Sequence, residues 1–434
     1  YLAETAFREG KLEEAERLWG EQAQTAREAS AAEEEWRALF GLGQVAEARG
    51  ADSAQWFARS IARIESLRQA TGRGMARSEF LAVKRDVYDA RIRQLLRQGK
   101  VSDELLDTME RSRARALADR EFQVTVGAVQ QRLRDGETLV LFWIGETEKA
   151  GVWLTRTAAG FADVKAGWWQ GVPVGRRVIV VPDGGIEMQP VERGVDAEIV
   201  FLPAVRMLGV GEPGGGGEGV LIAGPGLVHA RDEIREIEAL FPAAWSKAAT
   251  VRTALQRMGQ ASVIHIAAHA MPDYEREERS RILLEDGPLL LRDVGKTKLR
   301  SSLVTLSACQ TGAGRRVRGE GIQSLAQAFL AAGAQSVVAS RQAVDDSAAR
   351  AFMAQFYAAL ARGETKAGAL RTAKRRLRES GGGLAKPEHW EPWILFGDGR
   401  SAVAPARSWM WVPWIAALAA AAGALVAKRV RPVR

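Results

Sequence analysis

A lone thiol and a handful of imidazoles set the chemistry open to this chain. Its 434 residues hold one cysteine, Cys309, and four histidines, His229, His265, His269 and His389. A thiol is a nucleophile only as its thiolate, and an unassisted one is a few per cent ionised at neutral pH. An imidazole beside it takes the proton, or stabilises the thiolate, and then protonates a leaving amine. Two segments are suited to deliver such a pair. Val263-Ile264-His265-Ile266-Ala267-Ala268-His269 is an apolar run that ends at His269, and Leu303-Val304-Thr305-Leu306-Ser307-Ala308-Cys309 ends in the same way before turning at Gly312. Each reads as a buried strand leaving a sheet, and in open α/β sheets ligands gather beyond the carboxyl ends of the strands. If the two strands are neighbours, His269 and Cys309, 40 residues apart, face one cleft. The backbone N–H groups of Ala270 and Cys309 would then be donors for a tetrahedral oxyanion.

Composition narrows the alternatives. One thiol allows no internal disulfide, and with four histidines it makes a Cys/His zinc cage a poor expectation; no metal or organic cofactor is required. The net charge of +8 comes mostly from arginines spread along helix-like segments, with no basic stripe interleaved with aromatics, so nucleic acid is not an expected partner. Gly312-Ala313-Gly314 follows a strand, but no Gly-Lys-Ser/Thr comes after it, which argues against a phosphate loop.

The elements that must position the pair follow from periodicity. Residues 1–120 are expected to be α-helical, with two copies of a helix–turn–helix pattern whose turn glycines, Gly10 and Gly50, lie 40 residues apart. Residues 75–120 read as two long helices, the second a linker. From about residue 137 short apolar runs take over. Strands are predicted at 138–144, 150–155, 177–181, 220–224, 262–267, 302–307 and 335–339, with helices near 231–241, 250–259, 319–332, 346–362 and 364–379. Such alternation predicts a mostly parallel sheet with helices on both faces.

Residues 409–427, from Trp409 to Ala427, carry no charge and end at Lys428-Arg429. At 1.5 Å per residue they would span about 28 Å, enough for a bilayer core. Tryptophans mark one end, and the basic tail 428–434 marks the other, so the expectation is a single-pass membrane protein anchored near its C-terminus. Four basic residues after the span favour a cytoplasmic C-terminus, which would require an export signal; both orientations stay open.

From 137 to 400 the chain resembles the CHAT family, caspase-like domains found attached to tetratricopeptide repeats. The resemblance rests on an ordered series: Ile179-Val180-Val181-Pro182-Asp183-Gly184, the His269 strand, Ser307-Ala308-Cys309-Gln310-Thr311-Gly312, Gly319-Glu320-Gly321, Ala328 to Ala334, Val344-Asp345-Asp346 and Trp390 to Gly397. Glu110 to Leu117 is similar to the helix that commonly precedes the domain. The resemblance implies a caspase-like α/β fold and a Cys309/His269 dyad acting on a protein or peptide substrate. It also implies that Asp345 and Asp346 line a pocket for a basic side chain; the competing reading of the pair is a helix N-cap. His265 reads as structural, and His229 and His389 as surface residues. The family usually has glycine after its catalytic histidine where this chain has Ala270.

Two functions stay open on these grounds. One is a membrane-anchored cysteine endopeptidase regulated by a protein bound to the helical repeats. The other is a tethered scaffold or signalling adaptor that has lost activity, with the retained Cys309/His269 pair favouring the first and Ala270 the second.

Overall fold

In the computed structural model the described residues are 1–70, 84–113, 123–209, 218–240, 245–248, 250–271, 273, 279–307, 314–317 and 321–403. The chain starts with antiparallel helices α1 (Leu2–Arg8), α2 (Leu12–Glu28), α3 (Ala32–Ala48) and α4 (Ala54–Ala70). Gly10 and Gly50, with φ of +76° and +69°, make the turns of the two helix pairs, a backbone region closed to most side chains. Small residues bring the helices together. A Cβ on Gly41 would lie 2.2 Å from the Trp19 ring, and one on Gly43 would lie 2.4 Å from the Phe57 ring. Each aromatic therefore packs directly on the α3 backbone. Next come α5 (Arg85–Leu96) and α6 (Asp103–Arg111), shorter than the two long helices expected over 75–120, and then α7 (Val126–Arg132). Residues 71–83 and 114–122 lie outside the described residues.

The remainder builds the sheet. Its strands are β1 (Glu137–Ile144), β2 (Lys149–Leu154), β3 (Ala159–Ala162), β4 (Arg177–Val181), β5 (Glu198–Phe201), β6 (Gly219–Ala223), β7 (Trp245–Ala248) and β8 (Val263–Ala267). Two short sheets are separate: β9 (Ala270–Met271), β10 (Arg281–Leu284) and β11 (Gly287–Leu290) form one, and β13 (Gly314–Val317) with β14 (Gly321–Ser324) form the other. β12 (Leu303–Ser307), β15 (Ser336–Ser340) and β16 (Trp393–Gly397) complete the main sheet, whose order is β3-β2-β1-β4-β5-β16-β15-β12-β8-β6-β7. Most neighbours are parallel; β2 and β3 at one end, and the β15–β16 pair in the middle, are antiparallel.

Burial on both faces explains the continuous apolar strands. Alternate residues such as Ile264, Ile266, Val304 and Leu306 pack under α9 (Val251–Met258), α10 (Leu291–Val294) and α11 (Leu325–Ala331). Val263, Leu303 and Val338 face the other way, against α8 (Ala230–Leu240), α12 (Asp346–Ala361) and α13 (Lys366–Glu379). The short α14 (Pro387–Trp390) leads into β16. Helices α5 to α7 cover β1 and β4, with Ile92, Leu95, Leu106 and Met109 against Leu139, Leu141, Ile179 and Val181.

Charge joins this helical region to the sheet. Arg85, almost wholly buried, bonds Asp183 Oδ2 at 2.6 Å, Asp89 Oδ1 at 2.9 Å and the Ser112 carbonyl at 3.0 Å. The Ile144 N–H donates to Asp183 Oδ2 at 2.8 Å and Trp143 Nε1 to Asp89 Oδ1 at 2.7 Å. Arg113 donates to the Pro182 and Phe142 carbonyls, and the buried Glu110 carboxylate accepts from the Val205 and Arg206 N–H groups.

The expectation of a single-pass membrane protein is corrected. Among the described residues no helix is long and apolar enough to cross a membrane. Residues 409–427, on which that reading rested, and the tail 428–434 lie outside the described residues.

Burial opposes ionisation of Asp183, but the Arg85 and Arg113 guanidiniums outweigh it and hold its carboxyl below the ordinary range. Its stabilisation is therefore complete above the unfolded carboxyl value of about 3.9 and is lost as pH falls from there through the lower folded value. Asp183→Asn removes one of the two carboxylates paired with the buried Arg85, leaving Asp89, and is expected to cost about 3 kcal/mol in urea unfolding. The variant should also lack that acid-range fall, and an unchanged stability–pH curve would refute the pairing.

Candidate active site

The two strands expected to carry the reactive pair lie side by side. β8 and β12 are parallel, with Val263 opposite Leu303, His265 opposite Thr305 and Ala267 opposite Ser307. His269 stands two residues beyond the last paired position of β8, at the carboxyl end of the sheet, and in the sequence Cys309 follows two residues after Ser307, the end of β12. Cys309 and its flanking residues 308–313 lie outside the described residues, as does the donor N–H expected of Cys309.

His269 is half-buried. Its carbonyl accepts from the Leu283 N–H at 2.9 Å, which ties the end of β8 to β10. Its ring lies against Gly226, where a Cβ would sit 3.2 Å from Nε2 and 3.3 Å from Cδ2. Gly226 has a φ of +85° and belongs to Gly224-Pro225-Gly226, the turn that follows β6 on the other side of β8. Gly224, predicted as the end of a strand, lies just past β6; the local signal for the turn is a Gly-Pro-Gly directly after an apolar run. Exposed Val228 and Met271 are apolar side chains left in water close by.

Ala270 opens β9, the edge strand of its small sheet, opposite Ile282. Its backbone is ordinary: among the described residues Ser30 alone combines a side chain with positive φ. In an antiparallel ladder N–H groups point alternately toward and away from the partner. The Leu283-to-His269 bond sets that alternation so that the Ala270 N–H points away from β10.

His265 is a core residue. Its Nε2 lies 2.8 Å from Glu233 Oε1 and its Nδ1 lies 3.1 Å from the Tyr357 hydroxyl, which donates to Thr305 Oγ1 at 3.0 Å. Burial pushes the Tyr357 hydroxyl above its ordinary pKa and keeps it neutral. Asp345 is the N-cap of α12: its Oδ1 accepts from the Ser347 and Ala348 N–H groups at 3.0 and 3.2 Å. The Ser347 hydroxyl and these amides hold its carboxyl below the usual range, so the exposed group carries a charge. Asp346 Oδ2 accepts from the His229 N–H at 2.8 Å, linking the start of α12 to the loop that carries Gly226. His229 and His389 are partly exposed. Among the described residues no cluster of three or more His, Cys, Asp or Glu side chains is placed to hold a metal ion.

Residues 196–398 match the family model of the CHAT domain. Over that stretch the chain is similar to the CHAT family. Tetratricopeptide repeat protein 28 of Mus musculus is 34% identical over 110 residues, which cover 25% of this chain and 4% of that protein. Its Homo sapiens counterpart is 32% identical over 115 residues, covering 26% of this chain and 5% of that protein. The chain thus matches only a small part of either relative's length. Among solved structures, gingipain R, an Arg-specific cysteine proteinase, superposes with a TM-score of 0.41 at 12% identity over 65% of this chain and 69% of its own. The separase–securin complex of Saccharomyces cerevisiae gives a TM-score of 0.39 at 12% identity over 52% of this chain and 16% of its own.

The two histidines of the β8 segment should separate in a stability measurement. His265→Ala strands the buried Glu233 carboxylate and is expected to cost about 3 kcal/mol or more in thermal unfolding. His269→Ala, at a half-exposed position, should cost under about 1 kcal/mol. Equal losses would put His269 in the core and out of reach of substrate.

Proposed function

We propose that the CHAT domain is a cysteine endopeptidase in which Cys309 attacks a peptide carbonyl and His269 carries the proton. The observation that supports this reading best is the parallel β8–β12 register, with His269 and Cys309 each two residues beyond the pair Ala267 and Ser307. In the proposed cycle the thiolate adds to the carbonyl, the intermediate collapses as His269 protonates the leaving amine, and water then hydrolyses the thioester. The Ala270 N–H, turned away from β10, and the Cys309 N–H are the proposed oxyanion donors. The steric objection to alanine after the histidine falls away, because Ala270 needs no positive φ.

A basic residue is the proposed preference at the cleaved position. Asp345 keeps a charged carboxylate on the loop after β15, at the same end of the sheet as the β8 and β12 tips. Exposed Val228 and Met271 offer apolar contact to the rest of a peptide. A regulatory protein seated on helices α1 to α4 would act on a body joined to the sheet through α5 and the Arg85–Asp183 pair.

The test is covalent labelling with a thiol-directed peptide probe ending in arginine. Labelling should vanish in Cys309→Ala and slow by about a hundredfold or more in His269→Ala. A probe ending in aspartate should label more slowly than the arginine probe. If the natural chain shows no Cys309-dependent labelling, with or without a protein bound to the helical repeats, the reading fails.

A further inference from the structure

We propose that the loop Gly224–His229 sets the orientation of the His269 ring, and that Asp346 is a positioning residue that holds this loop. The inference rests on the reading of His269 as the catalytic base, and it gives Asp346 a role other than lining a substrate pocket.

His269 lies past the last paired residue of β8, so the ladder does not restrain its side chain. The bond from Leu283 fixes its carbonyl but leaves both side-chain torsions free. Gly226 lies beside the ring, close to its Nε2 and Cδ2 atoms. The φ of +85° calls for glycine there, and a Cβ would also crowd Nε2 at 3.2 Å. A side chain would strain the backbone and shift the ring by a few tenths of an ångström.

The loop is held at its two ends. At the near end the Gly224 N–H donates to the Ala267 carbonyl at 2.9 Å. Gly224 is also wedged into the corner between β8 and β10, where a Cβ would meet the Leu283 carbonyl oxygen at 2.3 Å and the Ala268 Cβ at 2.6 Å. At the far end the His229 N–H donates to Asp346 Oδ2 at 2.8 Å, and the His229 carbonyl accepts from the Asp232 and Glu233 N–H groups at the start of α8. Between these ends Pro225, Gly226 and Val228 are exposed. The place of Gly226 beside the Nε2–Cδ2 edge of the imidazole is therefore set by its two anchors, and Asp346 is the one supplied by a distant side chain. A general base must be held within a fraction of an ångström of its working place, and a small displacement costs rate without any loss of chemical groups.

The test uses the full chain labelled with [13C]histidine. Four histidines give few imidazole resonances, and His269→Gln assigns the one of interest. Gly226→Ala and Asp346→Ala are expected to shift the His269 ring signals and to slow Cys309 labelling by about tenfold to a hundredfold. Asp346→Asn keeps a carbonyl oxygen for the His229 N–H and should restore both toward the natural values. Asp345→Ala, which removes the neighbouring helix cap, should leave the His269 signals in place. Circular dichroism checks folding. If Gly226→Ala melts out, Asp346→Ala decides, because Asp345 still caps α12. The proposal is overturned if the His269 signals are the same in both variants, or if Asp346→Ala alters only the preference for arginine over aspartate probes. Failure of the natural chain to label would instead strike the protease reading, and the ring signals would still report on the loop.

Discussion

The parallel pairing of β8 with β12 is the constraint on which everything at the carboxyl end of the sheet depends. A slip of one residue would turn every side chain of a strand to the opposite face. A slip of two keeps the faces, and apolar packing alone resists it weakly in strands that are buried on both sides. Polar contacts do what packing cannot. At the start of the pair Ser301 Oγ donates to the Ala261 carbonyl at 2.8 Å and Ser302 Oγ to the Ser262 carbonyl at 3.0 Å. In the middle the Tyr357 hydroxyl touches both His265 of β8 and Thr305 of β12, which are opposite each other in the register. That hydroxyl finds both partners in only one alignment, and a buried polar group without partners is costly. His265 thus helps to lock the alignment of β8 with β12.

The same logic joins the helices to the sheet. Arg85, Asp183 and Asp89 are all nearly excluded from water, so removing their hydration is expensive. Their attraction offsets that cost only in a geometry that satisfies nearly all the donors and acceptors, and here Ser112, Trp143 and the Ile144 backbone complete the set. Such a cluster adds little net stability over well-packed apolar side chains, but it tolerates little sliding. Helices α5 and α6 are thereby held in one position over the ends of β1 and β4.

Much of this was legible in the chain. The apolar runs that predicted seven strands correspond to β1, β2, β4, β6, β8, β12 and β15 within one or two residues, because a strand buried on both faces leaves an unbroken apolar signature. The four-residue β3, β5, β7, β10, β11, β13 and β14 and the two-residue β9 are too short to leave one. β16 was noticed only as part of a family motif. Asp345 was legible as an N-cap, one of its two readings, and it caps α12. The membrane expectation came from the uncharged stretch 409–427 with tryptophans at one end and basic residues at the other, and among the described residues no helix supports it. Gly226 and Asp346 stayed hidden for another reason. Their partners, the His269 ring and the His229 N–H, lie 43 and 117 residues away, and no spacing rule connects them.

Ala270 shows how a departure from a family pattern is judged. Glycine after a catalytic histidine would suggest a backbone that only glycine adopts, and alanine in its place would then count against activity. That inference runs from residue type to conformation, yet a glycine can also be present for want of room or by history. Here the residue enters an edge strand and pairs with Ile282, and that conformation is open to any L-residue. Beside the ring it is Gly226 that calls for glycine, because its φ is positive and a Cβ there would crowd the imidazole. The bare backbone that lets a neighbour approach the histidine is thus supplied by the turn after β6, and Ala270 is free to carry a methyl group while its N–H still faces outward from β10.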